Sequence, residues 1–169
     1  VIDEPAAPTT QTEAELPCEI GFHATPDRAA MVYLDLEASC LPNEQFVLHH
    51  NGMMFSAMTD VQGTAQLTVP ALAETAVFIA SFANGEGAVA SQEISDLGNY
   101  GRAVVQWKGN AGLGLHAREY SAEYFSEGHI HATASGSIAG VERGVGGVLQ
   151  RFGSEEGADA LFAEVYTYP

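Results

Sequence analysis

Residues 46–63 read FVLHHNGMMFSAMTDVQG, and they carry the strongest structural signal in the chain. The Asn-Gly pair at 51–52 separates two runs in which apolar and polar residues alternate. This pattern predicts a two-residue β-hairpin, because a type I′ turn requires positive φ at both central positions. A turn of this length also fixes which residues face each other across the hairpin. The stretch therefore predicts two antiparallel strands in a known register.

Histidine and methionine beside this turn suggest copper, which accepts imidazole and thioether ligands. The register pairs His50 with Met53 and His49 with Met54, and alternation along the strands places the two pairs on opposite faces. His50 and Met53 fall on the apolar face, where methionine commonly fills a core. His49 and Met54 remain a candidate metal pair on the outer face, which needs further ligands. The predicted core face carries Phe46, Leu48, His50, Met53 and Phe55; the other carries Gln45, Val47, His49, Met54, Ser56 and Met58.

The segment after the hairpin indicates the type of fold. Asp60 can bond its own backbone two residues on, and Gly63 can adopt the positive φ of such a turn. The following strand ends in Val69-Pro70. A Thr-Asp-x-x-Gly turn before a strand closing in Val-Pro resembles the carboxypeptidase-regulatory, or prealbumin-like, group of β-sandwiches, over about residues 17–94. The resemblance implies an accessory or adhesive module of secreted and surface proteins, without catalytic residues.

The chain is predicted to be all-β and to have three parts. Residues 1–16 form an acidic extended arm, residues 17–94 an Ig-like or prealbumin-like β-sandwich, and residues 95–169 a second small β-rich domain. The last part can alternatively supply additional strands of one larger sandwich. Turn residues at 84–85 and 109–112 predict two further hairpins, the second joining RAVVQWK to LGLHAREY.

The two cysteines, Cys18 and Cys40, flank two predicted strands, which favours a disulfide over two free thiols. Such a bridge would stabilise the fold by about 3 kcal/mol by restricting the unfolded chain. The chain starts without methionine on an acidic, proline-spaced segment, as after signal-peptide removal, although a trimmed chain would look the same. Both features favour a secreted, cell-surface or periplasmic location.

Charge excludes several classes of partner. The chain has 22 acidic and 6 basic side chains and a net charge of −16. Phosphate backbones and anionic lipid surfaces repel such a chain, so we expect no nucleic-acid partner. No apolar run approaches the ~20 residues of a membrane span, so no membrane insertion is expected. The acidity itself favours solubility in an extracellular or salty setting.

A second candidate metal pair lies in the distal half. His129 and His131, two positions apart on a possible strand, would face the same side at a separation of roughly 6.6 Å. This spacing suits two ligands of one zinc or copper ion, with His116 or Glu127 as additional ligands. Exposed histidines without a ligand are the alternative.

Catalytic motifs are missing from the sequence. It contains no HExxH, GxSxG, P-loop or CxxC pattern. Acidic pairs such as Glu119 and Glu123 can be combined into a glycosidase dyad on paper, but with 22 acids such pairs arise freely. Aromatic residues concentrated in the distal half can form a platform for sugars, a contact with another subunit, or a core built on Trp107 and Phe125.

These observations favour an exported, non-enzymatic β-sandwich protein that acts by binding or self-assembly, as a surface, matrix or appendage component. Its expected partner is another copy or another surface protein, joined by strand addition at a sheet edge with residues 1–16 as the added strand. This hypothesis requires no cofactor. One alternative is a periplasmic copper- or zinc-binding protein, and another is a hydrolase with a carboxylate site.

Overall fold

A computed structural model describes residues 17–155 and 160–169. Strands make up 51% of the structure and helices 7%, which confirms the all-β, sandwich-like prediction. The predicted arm, residues 1–16, lies outside the described residues. None of the helices in the described part of the chain is long and apolar enough to cross a membrane.

Two antiparallel sheets form the sandwich. The first has the order β1 (Gly21–Asp27), β2 (Met31–Glu37) and β5 (Thr64–Pro70). The second has the order β4 (Met53–Met58), β3 (Gln45–His50), β6 (Thr75–Phe82) and β7 (Gly87–Glu93). β1 continues through Pro26, which is tolerated because β1 is an edge strand of its sheet.

The distal half adds a third antiparallel sheet and a small ribbon. The sheet has the order β11 (Val148–Phe152), β12 (Leu161–Tyr168) and β8 (Gly101–Lys108). The ribbon pairs β10 (His129–Ile130) with β9 (Ala117–Arg118). The remaining elements are a short helix α1 (Ile138–Glu142) and the 3₁₀ helices Leu97–Asn99 and Glu119–Ser121.

The hairpin at residues 46–63 folds as predicted. Asn51 and Gly52 have φ of 47° and 86°, and the β3–β4 register pairs His50 with Met53 and His49 with Met54. In the next turn, Asp60 Oδ1 accepts the N–H groups of Gln62 and Thr64 at 2.9 and 2.8 Å. The bonds from Thr64 lower the pKa of Asp60 because they favour its ionised form. Local turn chemistry therefore fixes this part of the sandwich.

The inner faces of the sandwich form one hydrophobic core. β2 contributes Val32, Leu34 and Leu36, and β3 and β4 contribute the predicted core face. Cys18 and Cys40 form the predicted disulfide beside the β1–β2 pair, with a Cα–Cα distance of 5.8 Å. A disulfide is consistent with an oxidising, extracellular compartment.

The third sheet packs onto the open side of the sandwich. Ala163 and Val165 of β12 belong to the same hydrophobic core as β2 and β3. Leu161 N–H donates to Ser56 Oγ at 2.9 Å, and Gln106 bonds the backbone of Met54. This sheet therefore covers the free edge of β4. The division into two domains stays a prediction. The hydrophobic core contains residues from both predicted parts.

Arg102 of β8 joins the third sheet to the first. Its Nε donates to Ala71 O at 3.0 Å, and its Nη2 donates to the carbonyls of Ala29 and Ala30 at 3.1 and 2.8 Å. Burial lowers its pKa to about 10. Ala29 and Ala30 form the β1–β2 turn with positive φ, so Arg102 also fixes that turn.

Two predictions about the distal half are wrong. β8 pairs with β12 instead of turning back at 109–112 to form a third hairpin. Phe125 is 80% exposed and does not join Trp107, which is buried and stacks on Phe162. The cause is that residues 109–147 form irregular structure with short helices and a two-residue ribbon, which leaves β8 free to pair with the last strand.

Candidate functional site

The outer face of the second sheet carries an apolar surface. Cross-strand neighbours run Met54–His49 across β4 and β3, His49–Ile79 across β3 and β6, and Ile79–Val89 across β6 and β7. These side chains form one continuous row because residues paired in register lie on the same face. We call this surface, together with two flanking residues, the uncharged face: Val47, His49, Met54, Val77, Ile79 and Val89.

This surface is open to solvent and nearly free of charge. Val89 is 62% exposed, and Val77 and Ile79 are each 41% exposed. The only charged residue in the four strands is Glu93, at the end of β7. An outer sheet face is usually polar, since only the inner face meets the core. An outer sheet face with exposed apolar residues and almost no charge, on a chain of net charge −16, is therefore a candidate contact surface.

The uncharged face is not flat. Beside the row of large side chains, Val47 pairs with Ser81 and Ser81 with Gly87, so the neighbouring row has small residues on β6 and β7. At the other side, a cavity of about 350 Å³ is lined by residues that include His49, Met54 and Ile79. The face thus offers a ridge, a shallow trough and a pocket to a partner.

His50 lies under this surface and is structural. It is 1% exposed and stacks on Phe78 at 4.1 Å. Its Nδ1–H donates to Val77 O and its Nε2 accepts the Leu72 N–H, each at 2.8 Å. Burial lowers the pKa of His50, so the ring is neutral at pH 7. This agrees with the predicted core position.

His49 and Met54 lie opposite each other on the uncharged face, as the register predicted. Together they supply two ligands, and a tight copper site needs at least one more. Within residues 17–155 and 160–169, no group of three or more His, Cys, Asp or Glu side chains is arranged to hold a metal ion. A metal at His49 and Met54 stays a prediction.

The distal half brings three histidines together. The His129 and His131 rings stack at 4.4 Å, and His116 stacks at 5.1 Å from His129 and 5.8 Å from His131. His116 comes from just before β9, and the other two from β10 and the residue after it. Pairing of β9 with β10 brings them together, so the predicted third ligand, His116, lies beside the predicted pair. Glu127 is exposed.

His129 already uses both ring nitrogens. Its Nδ1 accepts the Phe125 N–H at 2.7 Å, so the proton of the neutral ring lies on Nε2 and points at His116 Nδ1, 2.9 Å away. Burial lowers the pKa of His129, and nearby His131 lowers it further. A metal-bound histidine instead directs its second nitrogen, as N–H, toward an acceptor. In this conformation His129 offers no lone pair, and a metal at His129 and His131 stays a prediction.

The acidic pair considered for hydrolysis is not assembled. Glu119 is half-buried and bonded to Gly147 and Tyr166, whereas the Glu123 side chain is 88% exposed and lies 4.0 Å from Arg118. The two carboxylates therefore have different surroundings and partners. This geometry gives no support to the hydrolase alternative based on these residues.

Sequence reasoning missed the exposed residues of β6 and β7: Val77, Ile79 and Val89. The available signal was the run AVFIASF, in which both alternating faces carry large apolar residues. A strand with one solvent face should alternate with polar residues. Reading both faces, and noting the lack of charge, would have indicated a surface that another molecule covers.

Comparison with known proteins finds no matching family model, no matching curated protein and no matching solved structure. The resemblance to the carboxypeptidase-regulatory group therefore stays a prediction that rests on the Asp60–Gly63 turn and the strand after it.

Proposed function

We propose that this chain is an exported, non-enzymatic β-sandwich protein that acts by self-assembly through the uncharged face. The observation that carries the proposal is the exposure of Val77, Ile79 and Val89 on a sheet whose four strands contain one charged residue. Covering these side chains removes apolar surface from water, which is the main driving force of association. The disulfide supports an oxidising compartment.

The occupant of this face is a second copy of the chain. Two copies of net charge −16 repel each other, and the repulsion is smallest where the facing surfaces carry no charge. The ridge that contains Ile79 and Val89 lies beside the trough at Ser81 and Gly87. In a two-fold dimer the same patch meets itself, so the ridge of one copy fills the trough of the other.

Strand addition at the edge of β4 is a weaker route to assembly. The third sheet covers the free edge of β4 through Leu161 and Gln106. A covered edge has fewer free backbone groups to pair with an added strand. Addition of residues 1–16 from another copy remains the competing mechanism, and removal of these residues distinguishes the two.

Sedimentation velocity over a wide concentration range tests the proposal with three variants. Val89→Glu places a carboxylate on the most exposed apolar residue of the face, at the β7 end of the row, and each dimer then buries two unpaired charges. We expect it to weaken dimerisation by about a hundredfold or more. Val61→Glu adds the same charge at a residue that is 77% exposed in the turn outside the face, so the dimer should persist.

The third variant lacks residues 1–16 and should dimerise like the full chain. A full chain that stays monomeric at every concentration contradicts the proposal. Equal dimerisation of Val89→Glu and Val61→Glu contradicts it as well. Loss of the dimer only in the shortened chain would assign assembly to the arm.

A further inference from the structure

A second cavity, of about 530 Å³, lies in the distal half, away from the uncharged face. Its walls come from the 3₁₀ helix Glu119–Ser121, from residues 127–130 and from the glycine-rich segment 136–147. A volume of this size accommodates a small molecule. Its polar groups are Glu119, Glu127, Ser137 and Arg143, and Tyr120 stands at its rim.

Glu119 is held in place by two donors on one oxygen. Its Oε1 accepts the Gly147 N–H at 2.5 Å and the Tyr166 hydroxyl at 2.6 Å. Burial raises the pKa of Tyr166, and the bond to Glu119 raises it further, so the phenol remains a donor. Oε2 has no hydrogen-bond partner among the described residues. The carboxylate is therefore fixed in orientation while one oxygen stays free to accept.

Tyr120 is held outward by an uncommon backbone conformation. The residue is 82% exposed, with φ of 51° and ψ of 35°, and Ser121 beside it has φ of 62°. Positive φ costs a non-glycine residue energy, and such residues cluster at binding sites. The hydroxyl reaches Val145 O at 3.4 Å across the cavity rim. This contact leaves the ring available for stacking.

Arg143 supplies donors to the same cavity. It follows the last residue of α1, and its side chain makes no ion pair or hydrogen bond with the described residues. A guanidinium presents five N–H donors and no acceptor, whereas Glu119 and Glu127 present only acceptors. The cavity therefore combines fixed acceptors, unused donors and an exposed aromatic ring.

We propose that this cavity binds a neutral saccharide. A pyranose has an apolar face that can stack on Tyr120, and its hydroxyls both donate, to Glu119 Oε2, and accept, from Arg143. An anionic ligand is disfavoured by the net charge of −16, and the N–H donors of Arg143 beside two carboxylates match a ligand that both accepts and donates hydrogen bonds. The site is separate from the proposed dimer face, so either proposal can fail alone.

Chemical-shift titration of the full chain tests the proposal. The probes are the methyl glycosides of glucose, galactose, mannose and N-acetylglucosamine, with glucuronic acid as the acidic counterpart. We expect saturable shifts at the residues around Tyr120 with at least one neutral glycoside. Tyr120→Asn should weaken that binding about tenfold, because asparagine tolerates positive φ but removes the stacking ring.

Phe125→Asn is the matched control. Phe125 is an aromatic residue in the same region, 80% exposed with φ of 64°, and it does not line the cavity. The Phe125→Asn variant should bind the glycoside with unchanged affinity. Glu119→Gln keeps the shape of the side chain and should also weaken binding. No shift with any neutral glycoside, binding of glucuronic acid alone, or equal affinities of Tyr120→Asn and Phe125→Asn would each overturn the proposal.

Discussion

Replacing Gly63 by alanine should destabilise the protein far more than the same change at Gly52. Both glycines have positive φ, 79° and 86°, so alanine costs about 1–2 kcal/mol at either site. They differ in their surroundings. A Cβ at Gly52 meets no atom within 4 Å, whereas a Cβ at Gly63 would lie 2.1 Å from Ala38 O and 2.9 Å from Ser39 Cα.

The contacts around Gly63 are backbone atoms, which cannot turn away as a side chain does. Moving the 38–39 backbone breaks the 2.8 Å bond from Ala38 N–H to Gly63 O, which contributes about 1 kcal/mol. Overpacking adds typically about 1–3 kcal/mol. We therefore expect Gly63→Ala to cost about 3–6 kcal/mol in total, and to exceed Gly52→Ala by about 2 kcal/mol or more.

Urea denaturation of the oxidised protein, with and without each substitution, measures this difference. The reduced entropy of the unfolded chain affects both alanine variants alike and therefore cancels between them. Unchanged m-values show that the unfolded state is the same. Equal losses of unfolding free energy at the two sites would refute the reasoning, because the close approach of Ala38 to Gly63 would then have no energetic consequence.

Two further predictions concern the core. Because burial lowers the pKa of His50, its contribution to the free energy of unfolding should be fully present above the unfolded pKa of about 6.5. This free energy should fall as the pH drops below that value, by at most about 2 kcal/mol at pH 5. Urea midpoints at several pH values should show a shallower decline for His50→Asn than for the wild type. Arg102→Lys should cost about 2–3 kcal/mol in thermal unfolding, because an ammonium cannot reach the Ala29, Ala30 and Ala71 carbonyls together. A melting temperature equal to that of the wild type would contradict this role of Arg102.

Local chemistry made the first sandwich predictable. An Asn-Gly turn fixes both the strand pairing and the face of every residue in β3 and β4, because side chains alternate. Asp60 and Gly63 likewise define their turn through contacts within a few residues. The disulfide follows from strand neighbours that are close in sequence. In each case the residues whose interaction determines the local structure are close together in the sequence.

Strand pairing in the distal half depends on contacts between residues that are far apart in the sequence. β8 and β12 pair Trp107 with Phe162 and Val105 with Glu164, and nothing near β8 indicates this partner. A glycine-containing turn after a strand predicts a hairpin only when the next segment can form a matching strand. Residues 109–116 lack that regularity, and the Leu115 N–H instead bonds the buried carboxylate of Glu164 at 2.7 Å.

The candidate sites were partly predictable for the same reason. The positions of His49, Met54 and His50 followed from the register, and the clustering of His116 with His129 and His131 needed the β9–β10 pair. The cavity at Glu119 was not predictable, because Gly147 and Tyr166 come from distant segments. No pattern in the sequence marks a carboxylate that these two donors orient.

The distribution of charge connects the fold to its proposed assembly. The four strands of the second sheet contain no Asp, Glu, Lys or Arg except Glu93, so the other acidic residues within 17–155 and 160–169 lie outside these strands. Repulsion between acidic surfaces then opposes every approach of two copies except through the uncharged face, which selects one orientation. Salt screens this repulsion without weakening apolar contacts. Association through the uncharged face should therefore strengthen with ionic strength, whereas pairing of opposite charges would weaken.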